Sequence, residues 1–394
     1  MSDTLVLRGY MPRERAATSA LFLMNGYIVG NWAPKIPLFK AALGIDEAML
    51  GLLILAFGIG SLAFMPVVGA IIAREGSRRV LLALAVASAP MLLVLTLVPG
   101  VWTAAAALVV LGGLVGGTDV AMNASAVSVE RRMRRAIMSS CHAWWSLGGL
   151  IGAASGGLML AHLSPVSHAV VVAGVALVLI AAAAPAVIRD LPAPSSAGGA
   201  SATGLPRTLL PWLIGIMALF SMIPEGAILD WSALYLREGL GASVEGSALA
   251  FAGFSATMAV MRFTGDPIRD RLGAVTTLRI STVVAGIGML GASLAPTAGL
   301  AAAGFAVAGL GIANMVPIAF SAAGNLPGLA PGIGLSVVTF MGYSGLLFAP
   351  SLIGFVAQHT GLGSVFLALP TLYIVVFALS GLVRHADALG GHTG

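Results

Sequence analysis

The apolar residues of this chain neither alternate strictly nor form a single helical stripe. They come in long unbroken runs separated by short polar breaks. A helix needs ~20 such residues to cross ~30 Å of hydrocarbon. Charges, prolines and polar clusters divide the runs into twelve predicted spans, at roughly 16–39, 48–73, 80–98, 102–126, 136–161, 167–189, 208–236, 243–264, 274–297, 298–321, 332–357 and 363–384. The turns near Pro99-Gly100 and near Pro296 are only a few residues long. Continuous apolar runs also exclude a transmembrane β-barrel, whose strands alternate apolar and polar positions.

Composition sharpens this picture. Of 394 residues 58% are hydrophobic and 9% charged, against roughly 25% charged in a soluble domain. Mean hydropathy is +1.00. So little charge cannot cover so much apolar surface in water, which excludes a soluble enzyme, a nucleic-acid binder and a disordered chain. An all-α membrane protein remains. The charged start (Arg8, Arg13, Glu14, Arg15) leads into an apolar stretch too long for a signal-peptide core, so it is predicted to be the first span. The single cysteine, Cys141, gives no redox information.

The net charge of +5 is best assigned to loops that fix orientation. With the N-terminus inside, the inner loops collect nearly all arginines. The outer ones receive only Lys35, Lys40 and Arg237. The expected location is a bacterial inner membrane, crossed many times, with both termini cytoplasmic. Residues 190–207 form a Pro/Gly/Ser/Ala-rich break. It divides the chain into an N-terminal six-helix bundle (1–189), a cytoplasmic linker (190–207) and a C-terminal six-helix bundle (208–394).

The two halves repeat at a nearly constant offset. Arg74-Glu75-Gly76 returns as Arg271-Leu272-Gly273, and Ser146-Leu147-Gly148 as Ser344-Gly345-Leu346. Asn25-Gly26 matches Glu225-Gly226, Asn31-Trp32 matches Asp230-Trp231, and Asp119 is aligned with Asn314. Gly69-Ala-Ile-Ile-Ala-Arg-Glu-Gly-Ser-Arg-Arg79 resembles the cytoplasmic signature of the major facilitator transporters, with Ala73 where an Asp is usual; the second half keeps Asp266, Asp270 and Arg271. Asn31-Trp-Ala-Pro-Lys-Ile-Pro37, Asp119-Val-Ala-Met-Asn123, His142-Ala-Trp-Trp-Ser-Leu-Gly-Gly149 and Glu225–Leu236 resemble a bacterial branch of that superfamily, the MosC/YbjJ-like membrane proteins. The resemblance implies twelve helices in two pseudo-symmetric bundles and transport of a small polar solute, sugar-, polyol- or rhizopine-like.

An ionisable group in hydrocarbon is costly and therefore a functional candidate. Asp119 in span 4 and His142 in span 5 are expected at similar depth, where they could form a carboxylate–imidazole pair. Asn123 shares the Asp119 face. Glu225, between Pro224 and Gly226, is predicted to lie at a kink or unwound turn of span 7. Asp119, Glu225 and His142 are the proton-coupling candidates. Asn25, Asn31, Trp32, Glu225, Asp230 and Trp231 are predicted to form one polar-aromatic cluster for the solute, joined by Asn123 and, of the Trp144-Trp145 pair, by Trp145. Asn314 and Tyr343 are second-rank solute candidates. Arg262 and Asp266, four apart on one helical face, are expected with Asp270 and Arg271 to latch the halves in an outward-open state, and Arg74 is the gating candidate of the first half. The Glu130–Arg135 run reads as surface charge. No P-loop, metal-spaced His/Cys set or hydrolytic triad appears, so neither cofactor nor enzymatic activity is expected.

These features point to a monomeric secondary transporter that moves a small molecule together with protons through a lipid bilayer. Two other readings stay open. Glycines at four-residue spacing in span 5 (Gly148, Gly152, Gly156) also suit a proton-driven exporter of amphipathic compounds, and the fold alone would suit a non-transporting sensor.

Overall fold

The computed structural model describes residues 12–190 and 206–387. Arg8 and most of the expected linker (190–207) lie outside the described residues. Among those described, every regular element is helical. The first half contains α1 (Arg13–Trp32), α2 (Ile36–Leu43), α3 (Glu47–Glu75), α4 (Ser77–Ser88), α5 (Met91–Thr96), α6 (Val101–Met133), α7 (Met138–His162) and α8 (Pro165–Ala183). The second contains α9 (Leu210–Leu234), α10 (Val244–Leu272), α11 (Ala274–Ser293), α12 (Ala298–Ile312), α13 (Met315–Gly324), α14 (Pro331–Thr360), α15 (Leu362–Ala368) and α16 (Pro370–Leu379). Spans 1, 3, 10 and 12 are each made of two helices, so the sixteen elements give twelve spans. Among the described residues, ten of these are long and apolar enough to cross a membrane. Helix α10, with 29 residues, is about 44 Å long.

Proline marks several of the breaks. Pro34 and Pro37 fall where span 1 changes helix, and Pro90 and Pro370 open α5 and α16. Pro317 lacks the N–H that would bond the Ala313 carbonyl, and span 10 yields at Asn314 (φ −104°). Beside Glu225 the chain does not unwind: α9 runs as one helix through Pro224. Its irregularity lies at the far end, a π-turn over Tyr235–Gly239.

The halves share one packing plan. In the first, α1 lies along α7 and α3 along α6; in the second, α9 lies along α14 and α10 along α12. Side-chain detail repeats at an offset of 197 residues. A Cβ on Gly112 would strike the Phe57 carbonyl, and one on Gly309 the Phe254 carbonyl. Gly76 and Gly273 both adopt positive φ (82° and 78°). The following helices are capped alike: the Ser77 amide donates to Asp190 (2.9 Å) and the Ala274 amide to Asp387 (2.7 Å). This register corrects one expected match. Gly117, packed on Val68, corresponds to Asn314, packed on Gly265; Asp119 has no such partner in the second half.

Helices in lipid gain little from hydrophobic burial against each other, so close approach at small residues matters more. Outward positions are apolar instead: Leu52, Val67, Val178, Ile287 and Ile374 are all more than half exposed. The halves meet along α3 with α14 and α7 with α10.

Gly112→Leu and Gly309→Leu should each lower the melting temperature of detergent-purified protein, with a loss of about 2 kcal/mol or more. Gly157→Leu, where nothing lies within 4 Å, should leave it near the wild-type value.

Candidate functional site

The ends of the spans that carry the chain termini also carry most arginines; this is termed the basic end. At mid-depth, α10 sends Arg262 towards both halves. Its Nη2 donates to Glu225 Oε1 of α9 at 3.0 Å, and its Nη1 to Ser146 Oγ of α7, in the other half, also at 3.0 Å. Trp144 of α7 meets the Phe263 ring edge-on, 5.9 Å between centroids. Arg262 therefore bonds to both halves, one helical turn from Asp266.

Asp119 is 4% exposed, and its Oδ2 accepts no hydrogen bond. Asn123 donates to the Asp119 carbonyl (2.8 Å), and its Oδ1 lies 3.1 Å from His142 Nε2. Asn123 thus occupies the place between Asp119 and His142, and the direct carboxylate–imidazole pair is not formed. The imidazole is flanked by Phe22 and, from the second half, Phe320. The Tyr343 hydroxyl of α14 interacts with Asp119 across the seam.

The single polar-aromatic cluster is divided in the fold. Trp145 Nε1 donates to Asn25 Oδ1 at 2.9 Å. Asn31 is fully buried, donating to the Tyr27 carbonyl and lying 3.0 Å from His168 Nε2, so it ties spans 1 and 6 together. Trp32 packs edge-on against Phe39. Asp230 is exposed. Trp231 lies against Gly354, with its indole nitrogen buried and without a partner. Asn314 packs on Gly265, and neither of its amide atoms has a hydrogen-bond partner.

The basic end holds a second polar assembly, built around the start of α7. The first amides of a helix have no intrahelical acceptor. Here five consecutive amides, two just before α7 and its first three, meet carboxylates. Ala136 N donates to Asp270 (2.8 Å), Ile137 N and Met138 N to Glu130 (2.9 and 3.1 Å), and Ser139 N and Ser140 N to Asp266 (2.9 and 3.0 Å). Negative charge is favoured at this helix end. Asp266 and Asp270 come from the opposite half. Arg269 completes the assembly, donating to Glu130 (3.0 Å), Ser321 (2.9 Å) and the Ala386 carbonyl, while Ser321 also bonds Glu130. Arg131 reaches Asn325 and the Gly324 carbonyl, both at 2.5 Å.

Glu130 and Arg131 therefore join the halves, contrary to the surface role expected of their run. Their helical spacing held the signal, since Glu130 lies three turns from Asp119 on the same face. Arg269 could have been found likewise, seven residues after Arg262. Of the residues expected to latch the halves, Arg262, Asp266 and Asp270 each bond to the opposite half. Arg74 and Arg271 are exposed and form no hydrogen bond or ion pair among the described residues.

The other seam is built differently. Met65, Gly69 and Ala73 stand 197 residues before Arg262, Asp266 and Asp270, and all three are buried. Gly69 lies directly against the Gly332 backbone and the Ser336 side chain. One interface is thus a ladder of charged rungs and the other a smooth contact of small and apolar groups.

Two pseudo-symmetric bundles with polar groups at their mid-depth seam have counterparts among known proteins. The Major Facilitator Superfamily profile matches residues 17–243. The chain belongs to this superfamily. An uncharacterised MFS-type transporter of Yersinia pestis is 33% identical over 370 residues, 93% of this chain and 94% of that protein. Membrane protein MosC of Rhizobium meliloti is 31% identical over 364 residues, 92% of this chain and 88% of that one. The fold is similar to that of a variant of the E. coli fucose:proton symporter FucP, with TM-score 0.77 at 16% identity over 94% of this chain and 98% of that one. It also resembles the human organic anion transporter MFSD10, with TM-score 0.69 at 15% identity over 93% and 99% of the two chains. As a major facilitator protein, this chain is a multi-pass membrane transporter of small molecules.

Replacing Asp266 by Asn removes the charge from two of the five capped amides. Hydrogen bonds to charged groups contribute about 1.5–3 kcal/mol each. Spin labels on the basic ends of α7 and α10 should then report longer and broader distances. Arg74→Gln should leave the distribution unchanged.

Proposed function

We propose that the protein is a proton-coupled secondary transporter that moves a small polar organic solute across a bacterial inner membrane by alternating access. The observation that carries this reading is Asp119. It is a buried carboxyl in the middle of a membrane span, with one oxygen free of hydrogen bonds, placed where the two halves meet. A charge kept in such surroundings is costly, so loss or gain of a proton there is tied to whether the seam is open or closed.

The remaining parts follow from that assignment. Residues 1–189 and 208–394 act as the two rocking bundles, with 190–207 as the connection. Positive residues mark the basic end as cytoplasmic, and the charged rungs there hold the cytoplasmic side shut. The conformation is accordingly outward-facing. Solute enters from the opposite side and meets Glu225, Arg262 and Ser146 together. Their carboxylate, guanidinium and hydroxyl groups suit hydroxyl-rich ligands, and the Trp145 indole suits the C–H face of a ring. A sugar-, polyol- or rhizopine-like solute fits this chemistry and the class that the sequence resemblance implies. By bridging the bundles, the solute shifts the population towards the closed and then the inward-facing state. The transporter works as a monomer, with protons as the coupling ion.

Thermal-shift screening against sugars and polyols should identify a ligand that raises the melting temperature, since binding to the native state alone stabilises it. In proteoliposomes, an imposed pH gradient should drive accumulation of that ligand. Asp119→Asn should reduce accumulation to the level of empty liposomes while preserving solute exchange. Gradient-driven accumulation at the wild-type rate in Asp119→Asn would remove this residue from the coupling role.

A further inference from the structure

A second site lies at the basic end, apart from Asp119 and Arg262. Three elements that are distant in sequence surround a cavity of about 500 Å³: the start of α1, the end of α6 and the segment after α8. Arg13, Arg132 and Arg189 contribute three guanidinium groups. One acid, Glu14, offsets them, and it is already paired with Arg132 at 3.2 Å. Arg13 and Arg189 have no hydrogen-bond or ion-pair partner among the described residues. The cavity therefore keeps two uncommitted cations.

Its remaining wall is apolar, formed by Pro185 to Ile188. Val187 and Ile188 are anchored in the core (2% and 7% exposed). Arg78 secures the same segment from behind by donating to the Ala184 carbonyl at 2.9 Å. Arg15, by contrast, turns away from the cavity to Ser140 Oγ (3.2 Å). The cations are thus selected by position and are not a uniform halo around the helix ends.

We propose that this cavity binds the phosphate group of an anionic phospholipid. Guanidinium groups present paired donors that match phosphate oxygens. All three arginines stand at the membrane ends of their spans, the level at which headgroups lie. The apolar wall beside them accommodates the glycerol backbone and the first part of an acyl chain. A free phosphate compound would satisfy the same cations without using that wall.

The test uses the purified full-length protein and two phosphate sources. In native mass spectrometry, phosphatidylglycerol should bind as discrete adducts and in preference to phosphatidylcholine. The Arg13→Gln/Arg189→Gln double variant should weaken that binding, by roughly fivefold for each arginine. Both side chains are exposed, and an unchanged lipid-free melting temperature will establish that the variant is folded. Arg79→Gln/Arg384→Gln, which removes two exposed arginines elsewhere on the same end, should bind phosphatidylglycerol as the wild type does. Equal losses in the two double variants, or no loss in the first, would overturn the site. Stabilisation by glycerol 3-phosphate alone, abolished in the first variant, would overturn its assignment to lipid. None of these measurements depends on transport, so the site and the coupling mechanism stand or fall separately.

Discussion

A buried polar group cannot rely on water, and this requirement organises the basic end, where Glu130, Asp266 and Arg269 are buried. The start of α7 brings five amide donors to one place. Glu130, Asp266 and Asp270 bring the charge that meets them. Each side would be costly to bury alone. Because two of the carboxylates belong to the opposite half, satisfying a helix terminus and closing a seam are the same event. Arg269 extends that dependence to span 10 and to the final turn of the chain's described part.

Duplication supplied the frame in which this arrangement arose. The glycine–carbonyl contacts and the Asp190 and Asp387 caps keep their positions in both halves. Those contacts hold each bundle together internally, where the packing leaves little room for change. The surfaces between the bundles diverged instead. Charged residues stand on α10 where Met65, Gly69 and Ala73 stand on α3. A glycine seam permits close sliding contact, whereas a carboxylate seam has a definite bonded position. One edge of the joint is thus close-packed and the other is bonded.

The sequence disclosed the membrane class, the spans and the duplication, because charges and prolines interrupt the apolar runs at regular intervals. It also singled out Asp119, Glu225 and Arg262. Which residues would meet was less legible. A shared helical face gives direction but not partners: Arg262 and Asp266 both reach the opposite half, yet Arg262 meets Ser146 while Asp266 meets the amides at the start of α7. Asn31 and Trp32 matched Asp230 and Trp231 by repeat, yet His168 draws Asn31 into the first bundle. Pro224 suggested a kink or an unwound turn, and α9 stays helical through it. Glu130 was hidden because a dense run of arginines beside it imitates ordinary loop charge. In each case the deciding partner lies more than a hundred residues away or on a helix whose neighbours the sequence does not name.

The Ala386 carbonyl accepts from Arg269, and Asp387 caps α11. The carboxyl-terminal stretch is thereby wired into the joint between the bundles. Shortening the chain to a point before these residues would strip a buried guanidinium of an acceptor, and a rigid fusion placed directly after them would pull on the same atoms. Affinity tags and reporter domains attached at this end therefore need a flexible spacer if they are to leave the resting conformation undisturbed.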